Sequence, residues 1–223
     1  MARSSRLLAF LYGLMGLIEI SSEFTRESLP ILHQISKPLL MPLLLMFFAA
    51  SWQGSLREPR AYLLMLALVF SWLGDVFLML DGANWFVPGL GSFLVAQLLY
   101  AYLFSRQSMG WLKQNPLWLL PFILYGAGLL YIIWPGLGEM WIPVCVYAAA
   151  IMLMAAMALN RKGAVNKQSF QLVLIGAILF VISDSFIALN KFAYPFDLSR
   201  LLIMSTYISA QFLIVYGFMK SRD

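Results

Sequence analysis

"YLLMLALVFSWLGDVFLML", residues 62–80, is an apolar run that holds a single charged side chain, Asp75. As a helix rising ~1.5 Å per residue it covers the roughly 30 Å hydrocarbon layer of a bilayer. The whole chain has the same character. It has 223 residues, 62% hydrophobic and 11% charged, and a mean hydropathy of +0.83. A soluble domain of that length could not cover so much apolar surface. The expected fold class is all-α: a polytopic membrane protein forming one integral membrane domain over residues 1–223.

Working outward from this run, the hydropathy and the breakers predict eight spans, at 6–23, 38–53, 60–80, 86–105, 117–134, 140–159, 168–190 and 198–219. Pro38, Pro59 and Pro116 fall near predicted helix starts, and "WPGLGE" at 134–139 reads as a tight turn. The N-terminal "MARSSRLLAFLYGLMGLIEISS" has the basic start and apolar middle of a signal peptide. No small-x-small cleavage pattern closes it, and Glu19 stands where that pattern belongs, so it reads as an uncleaved first span.

Charge distribution gives an orientation. With eight spans, both termini and the even-numbered loops share one side. That side carries Arg3, Arg6, Arg57, Arg60, Arg106, Lys113, Arg161, Lys162, Lys167, Lys220 and Arg222, 11 of the 15 basic residues; Arg26, Lys37, Lys191 and Arg200 are on the other. The excess predicts cytoplasmic termini, with a bacterial inner membrane as the expected location. The net charge of +5 then serves an anionic leaflet, and no nucleic-acid partner is implied. Oligomeric state is not readable from the chain.

Asp75 has a counterpart. "FSWLGDVFLMLD" (70–81) and "FVISDSFIALN" (180–190) align at an offset of 109 residues, pairing Gly74 with Ser183, Asp75 with Asp184, Phe77 with Phe186, Leu80 with Leu189 and Asp81 with Asn190. An offset of four helices preserves direction. The expectation is therefore two parallel four-helix repeats, approximately 1–110 and 111–223, with Asp75 and Asp184 at matching depth and facing one cavity. A weaker echo, "AQ", occurs at 96–97 and 210–211.

An ionised aspartate near the middle of a spanning helix costs about 2.5–3.5 kcal/mol on insertion scales, so it is expected to face a bundle interior or wet cavity. Two carboxylates close together in a low dielectric do not both ionise readily. One keeps a proton, which places a general acid beside a general base without a metal. Glu19, Glu23, Lys37, Asp81, Asn84, Asn190 and Lys191 gather towards the same predicted side, and Lys191 follows Asp184 by seven residues, on one helical face. An amphiphile with an anionic head suits such a cavity.

Other constellations carry less. His33 is the only histidine and falls in a predicted loop. A histidine-rich zinc site is thereby excluded, no metal or cofactor is expected, and no G-x-S-x-G supports a catalytic triad. Cys145, the single cysteine, excludes an internal disulfide. "GLGS" at 89–92 reads as helix packing rather than a phosphate loop. Trp52, Trp85, Trp111, Trp134 and Trp141 read as interfacial anchors, and the 13 methionines as adaptable packing.

At "SWLGDVFLML", "ISDSFIALNKF" and "SKPLLMP" (36–42) the chain resembles the YhhN-like membrane proteins, whose characterised members include lysoplasmalogenases. The resemblance extends over essentially the whole chain. It implies hydrolysis of the vinyl ether of lysoplasmenyl-ethanolamine or lysoplasmenyl-choline, giving a fatty aldehyde and a glycerophospho-alcohol. It implies a lysophospholipid substrate drawn from surrounding membrane lipids, and Asp75 and Asp184 as the catalytic pair. Lys37, Asp81, Asn190, Lys191 and Arg200 are the substrate-binding candidates. One departure is at "AQLLY" (96–100), where members often carry a histidine and this chain has Gln97. A proton-coupled transporter using the same aspartates is the alternative reading.

Overall fold

The structure is a computed structural model that describes residues 3–24, 29–80 and 82–222; of Ala83 and Arg222 it describes the backbone alone. Among the described residues there are helices and no strand. In chain order they are α1 (Arg3–Ser22), α2 (Pro30–Ser51), α3 (Pro59–Met79), α4 (Phe86–Ser105), α5 (Trp111–Gln114), α6 (Leu120–Ile133), α7 (Trp141–Leu159), α8 (Lys167–Phe192) and α9 (Ser199–Met219). Short 3-10 turns at Pro116–Leu119, Trp134–Gly136 and Gly138–Met140 extend α6 and α7 to membrane-spanning length, so eight helices in the described residues are long and apolar enough to cross a bilayer. The protein is an integral, multi-pass, all-α membrane protein.

One predicted span starts elsewhere. The α2 helix begins at Pro30, eight residues before the expected start, so Pro38 and Pro42 lie inside it and His33 is in its first turn rather than in a loop. The reason is local. Pro30 is pre-set for the first helical position, where its missing N–H costs nothing. The two internal prolines are tolerated because another donor reaches the carbonyl one of them frees, as described below.

Compactness divides the chain into two units, Met1–Leu99 and Tyr100–Asp223, with the boundary inside α4. In the first unit α1 packs on α2 and α2 on α3. Its fully buried side chains include Leu40, Leu44, Phe47, Phe48, Leu64 and Leu68. Trp52, expected at an interface, is buried with its ring 5.1 Å from that of Phe48.

In the second unit α8 and α9 form the closest helix pair. A Cβ at Gly176 would come within 2.9 Å of the Ala210 carbonyl, so only glycine permits this approach. Below α7 the chain is tied by Arg161, which is fully buried. Its guanidinium donates to Gln107 Oε1 (3.0 Å), Ser169 O (3.3 Å) and Ser169 Oγ (2.8 Å), and lies 5.5 Å from the Phe104 ring centroid. Burial lowers its pKa to about 10, which leaves it charged at neutral pH. One of the basic residues counted towards orientation is thus a structural clamp. Lys162 sits 4.5 Å above the Trp111 ring at a helix end, consistent with an interfacial belt.

Candidate active site

The buried residues of α3 recur at intervals of three and four: Ala61, Leu64, Leu68, Ser71 and Asp75. That spacing turns one face inward, and Asp75 closes the stripe one turn before the helix ends. Its side chain is buried, the residue being only 4% exposed.

Two contacts fix the rotation of α3. Pro42 has no N–H to give to the Pro38 carbonyl four residues back. Trp72 Nε1 donates to that carbonyl instead, at 2.9 Å, pinning α3 to α2 three residues from Asp75. On the far side, Gly74 lets the Phe93 ring pack against the backbone; a Cβ there would lie 2.5 Å from the ring. The buried hydroxyl of Ser71, one turn before Asp75, has no hydrogen-bond partner among the described residues.

Asp184 sits in the middle of α8, more than two turns from its end, and is half-buried. The buried Tyr147 of α7 donates a short hydrogen bond from its hydroxyl to Asp184 Oδ2. The flanking serines anchor the helix on both sides. Ser183 Oγ donates to the Ile203 carbonyl of α9 (3.0 Å), and Ser185 Oγ accepts from Tyr125 Oη of α6 (2.9 Å) while donating to Val181 O (2.7 Å). One turn earlier, Phe180 meets the Tyr207 ring edge-on at 5.4 Å. Tyr207 leads to Gln211, whose Oε1 accepts from Tyr100 Oη at 2.7 Å. Tyr207, Gln211 and Tyr100 thus form a short polar chain within the second unit.

Chemically, Asp75, a turn from the Ser71 hydroxyl, and Asp184, accepting from the Tyr147 hydroxyl, are carboxyl groups suited to proton transfer. The family profile described as the YhhN family matches residues 32–218, which includes both aspartates. The chain belongs to the YhhN family. It is 40% identical over 173 residues to the lysoplasmalogenase TMEM86A of Bos taurus, covering 75% of this chain and 70% of that one. It is 35% identical over 170 residues to the human lysoplasmalogenase TMEM86B, with 76% and 69% covered. A lysoplasmalogenase of Mycobacterium bovis is 32% identical over 162 residues, with 70% and 60% covered. No solved structure matches the chain.

The remaining candidates in this YhhN-family chain occupy different settings. Lys37 is half-buried, two turns into α2, beside the buried Ser36. Asn190 Oδ1 accepts from the Phe196 backbone N–H at 3.2 Å, which ties down the turn between α8 and α9. Lys191 is exposed on the last turn of α8, with Nζ 5.9 Å from the Phe192 ring. Because α8 runs unbroken to Phe192, Lys191 does share the Asp184 face, about 10 Å further along. Arg200 is exposed in the first turn of α9. Asp81 lies outside the described residues. Gln97, at the departure from the family pattern, is fully buried.

Sequence reasoning missed Tyr147 and Trp72. Tyr147 carries the only hydroxyl in "WIPVCVYAAAIMLMAAMAL", and Pro38 and Pro42 stand four apart, which advertises a carbonyl in need of an outside donor. Both signals were present.

Proposed function

We propose that this chain hydrolyses the vinyl ether bond of lysoplasmenyl phospholipids within the membrane, with either ethanolamine or choline as the head group. The observation that carries the reading is Asp184 held by the Tyr147 hydroxyl within apolar helices, in a chain 40% identical to a protein named for this hydrolysis.

The chemistry asks for little more than a placed proton. Protonation of the outer alkene carbon gives an oxocarbenium ion. Water adds to the cationic carbon, and the resulting hemiacetal collapses to a fatty aldehyde and the glycerophospho-alcohol, returning the proton. Overall one water is consumed. One aspartate delivers the proton and the other, ionised, stabilises the cation and orients the water. An acceptor of the Tyr147 hydrogen bond suits the ionised role, which assigns Asp184 to the cation and Asp75 to proton delivery. The same division of labour between two carboxyl groups operates in glycosidases. Lys37, Lys191 and Arg200 are the cations proposed to hold the phosphate, and Asp81 and Asn190 complete the proposed polar rim.

The test is aldehyde release from lysoplasmalogen by purified protein in detergent. Product formation abolished by Asp75→Asn and by Asp184→Asn, with fold retained, supports hydrolysis. Proton-coupled solute uptake into proteoliposomes without product points instead to a carrier. For orientation, a cysteine at position 83 is expected to react with an external, impermeant thiol reagent in cells; labelling only after permeabilisation reverses the proposed cytoplasmic placement of the termini.

A further inference from the structure

A second polar cluster lies in the first unit, between α1 and α2. Glu19 is in the last turn of α1, Glu23 directly follows that helix, and His33 comes from the first turn of α2. One ligand atom from each of the three lies within 4.8 Å of the others. His33 Nδ1 is 2.9 Å from Glu19 Oε1 and 3.4 Å from Glu23 Oε1, and the side chains of Glu19, Glu23 and His33 are 0%, 5% and 4% exposed.

The contact between His33 and Glu19 is close but poorly directed. Among the described residues, neither Glu19 Oε1 nor either ring nitrogen of His33 makes a well-directed hydrogen bond. A histidine that merely paired with a carboxylate would aim its N–H along the line to the oxygen. Here the ring nitrogen stands between two carboxylate oxygens instead. The other oxygen of Glu19, Oε2, is held by the hydroxyls of Ser36 (2.5 Å) and Ser22 (3.4 Å), which leaves Oε1 facing the ring. Serines that orient a carboxylate in this way are the outer supports expected around a metal ligand.

Charge points the same way. A divalent cation offsets the charge of two carboxylates, and buried carboxylates are costly without a compensating partner. Ligands at about 2.0–2.2 Å from an ion stand roughly 3–4 Å from one another, and His33 Nδ1 lies 2.9 and 3.4 Å from the two carboxylate oxygens. A nitrogen donor with two carboxylate oxygens selects the zinc, manganese and iron class over calcium or magnesium.

We propose that Glu19, Glu23 and His33 bind one divalent transition-metal ion of the zinc class, joining α1 to α2. Glu19 and Glu23 precede the part of the chain that the YhhN family profile matches, and His33 lies just inside it. The exclusion of histidine-rich zinc sites from the sequence does not reach it, because one imidazole with two carboxylates suffices.

The experiment uses the full chain purified in detergent, stripped with chelator and desalted. Titration with Zn²⁺ is expected to give one equivalent bound per chain and a rise in melting temperature. Glu19→Gln and His33→Ala are expected to lose at least tenfold in affinity and to abolish that rise. Co²⁺ in the wild-type chain is expected to give visible d–d absorption, and His33→Cys a new sulfur-to-cobalt charge-transfer band. That last reading stands even if the alanine variant does not fold. A wild-type chain that binds less than a tenth of an equivalent, variants that bind as well as wild type, or a His33→Cys protein with no charge-transfer band would each overturn the proposal and leave a plain Glu–His contact.

Discussion

The two aspartate segments share a motif and differ in almost everything around it. Asp75 lies at the end of a buried stripe, a turn from the end of α3, on a helix that a tryptophan indole ties to α2 and a phenylalanine ring packs against at Gly74. Asp184 lies mid-helix, half-buried, gripped by a tyrosine and flanked by two serines that are themselves hydrogen-bonded. The lesson is that a repeated carboxylate need not be a repeated function. A buried acid near a helix end and a half-buried one held mid-helix by a tyrosine are the pair proposed to divide the acid and base roles.

Removing either acid tests the comparison hardest. Asp75→Asn and Asp184→Asn are each expected to lower aldehyde release by about a thousandfold or more, since a placed acid or base contributes ~10²–10⁴. The double variant should be hardly worse than either single one, because residues acting as a unit are not additive. Full additivity in single-turnover rates would break the pairing and leave two independent groups.

Tyr147→Phe sharpens the difference. A hydrogen bond to a charged group is worth about 1.5–3 kcal/mol, so kcat should fall about ten- to a hundredfold with KM little changed. A rise in KM with kcat intact would make Tyr147 a packing residue only.

The scaffolding differs more quietly. Trp72→Phe leaves the Pro38 carbonyl without its donor and is expected to cost about 1–3 kcal/mol, read as a lower melting temperature. Gly74→Ala drives a methyl into the Phe93 ring and should cost a similar ~1–3 kcal/mol. The aligned position is predicted to be forgiving. Ser183→Ala removes one hydroxyl bond to a carbonyl in a neighbouring helix, about 0.6 kcal/mol in a membrane protein. Equal losses at Gly74 and Ser183 would mean that the two segments are packed alike after all.

Much of this was legible in the chain. Seven of the predicted spans begin within three residues of an observed element, because apolar length and flanking proline or glycine are local properties. The second span failed for an instructive reason. Pro38 and Pro42 look like helix boundaries when only the chain's own N–H groups are counted, and the missing donor comes from Trp72, thirty-four residues further on. Asp75 and Asp184 stood out because charge is expensive in lipid. Tyr147 is the only hydroxyl in its helix, yet nothing local tells that it meets a carboxylate on another one.

The chain alone determined that this protein lives in a bilayer as a helical bundle and that two acids are set into it, because burial of apolar surface and the cost of charge are summed residue by residue. Only tertiary structure decided what touches those acids, which carbonyl Trp72 rescues, and that a lone histidine meets two glutamates. Those outcomes depend on which helix faces which, and pairing between distant segments leaves no mark in the composition of either.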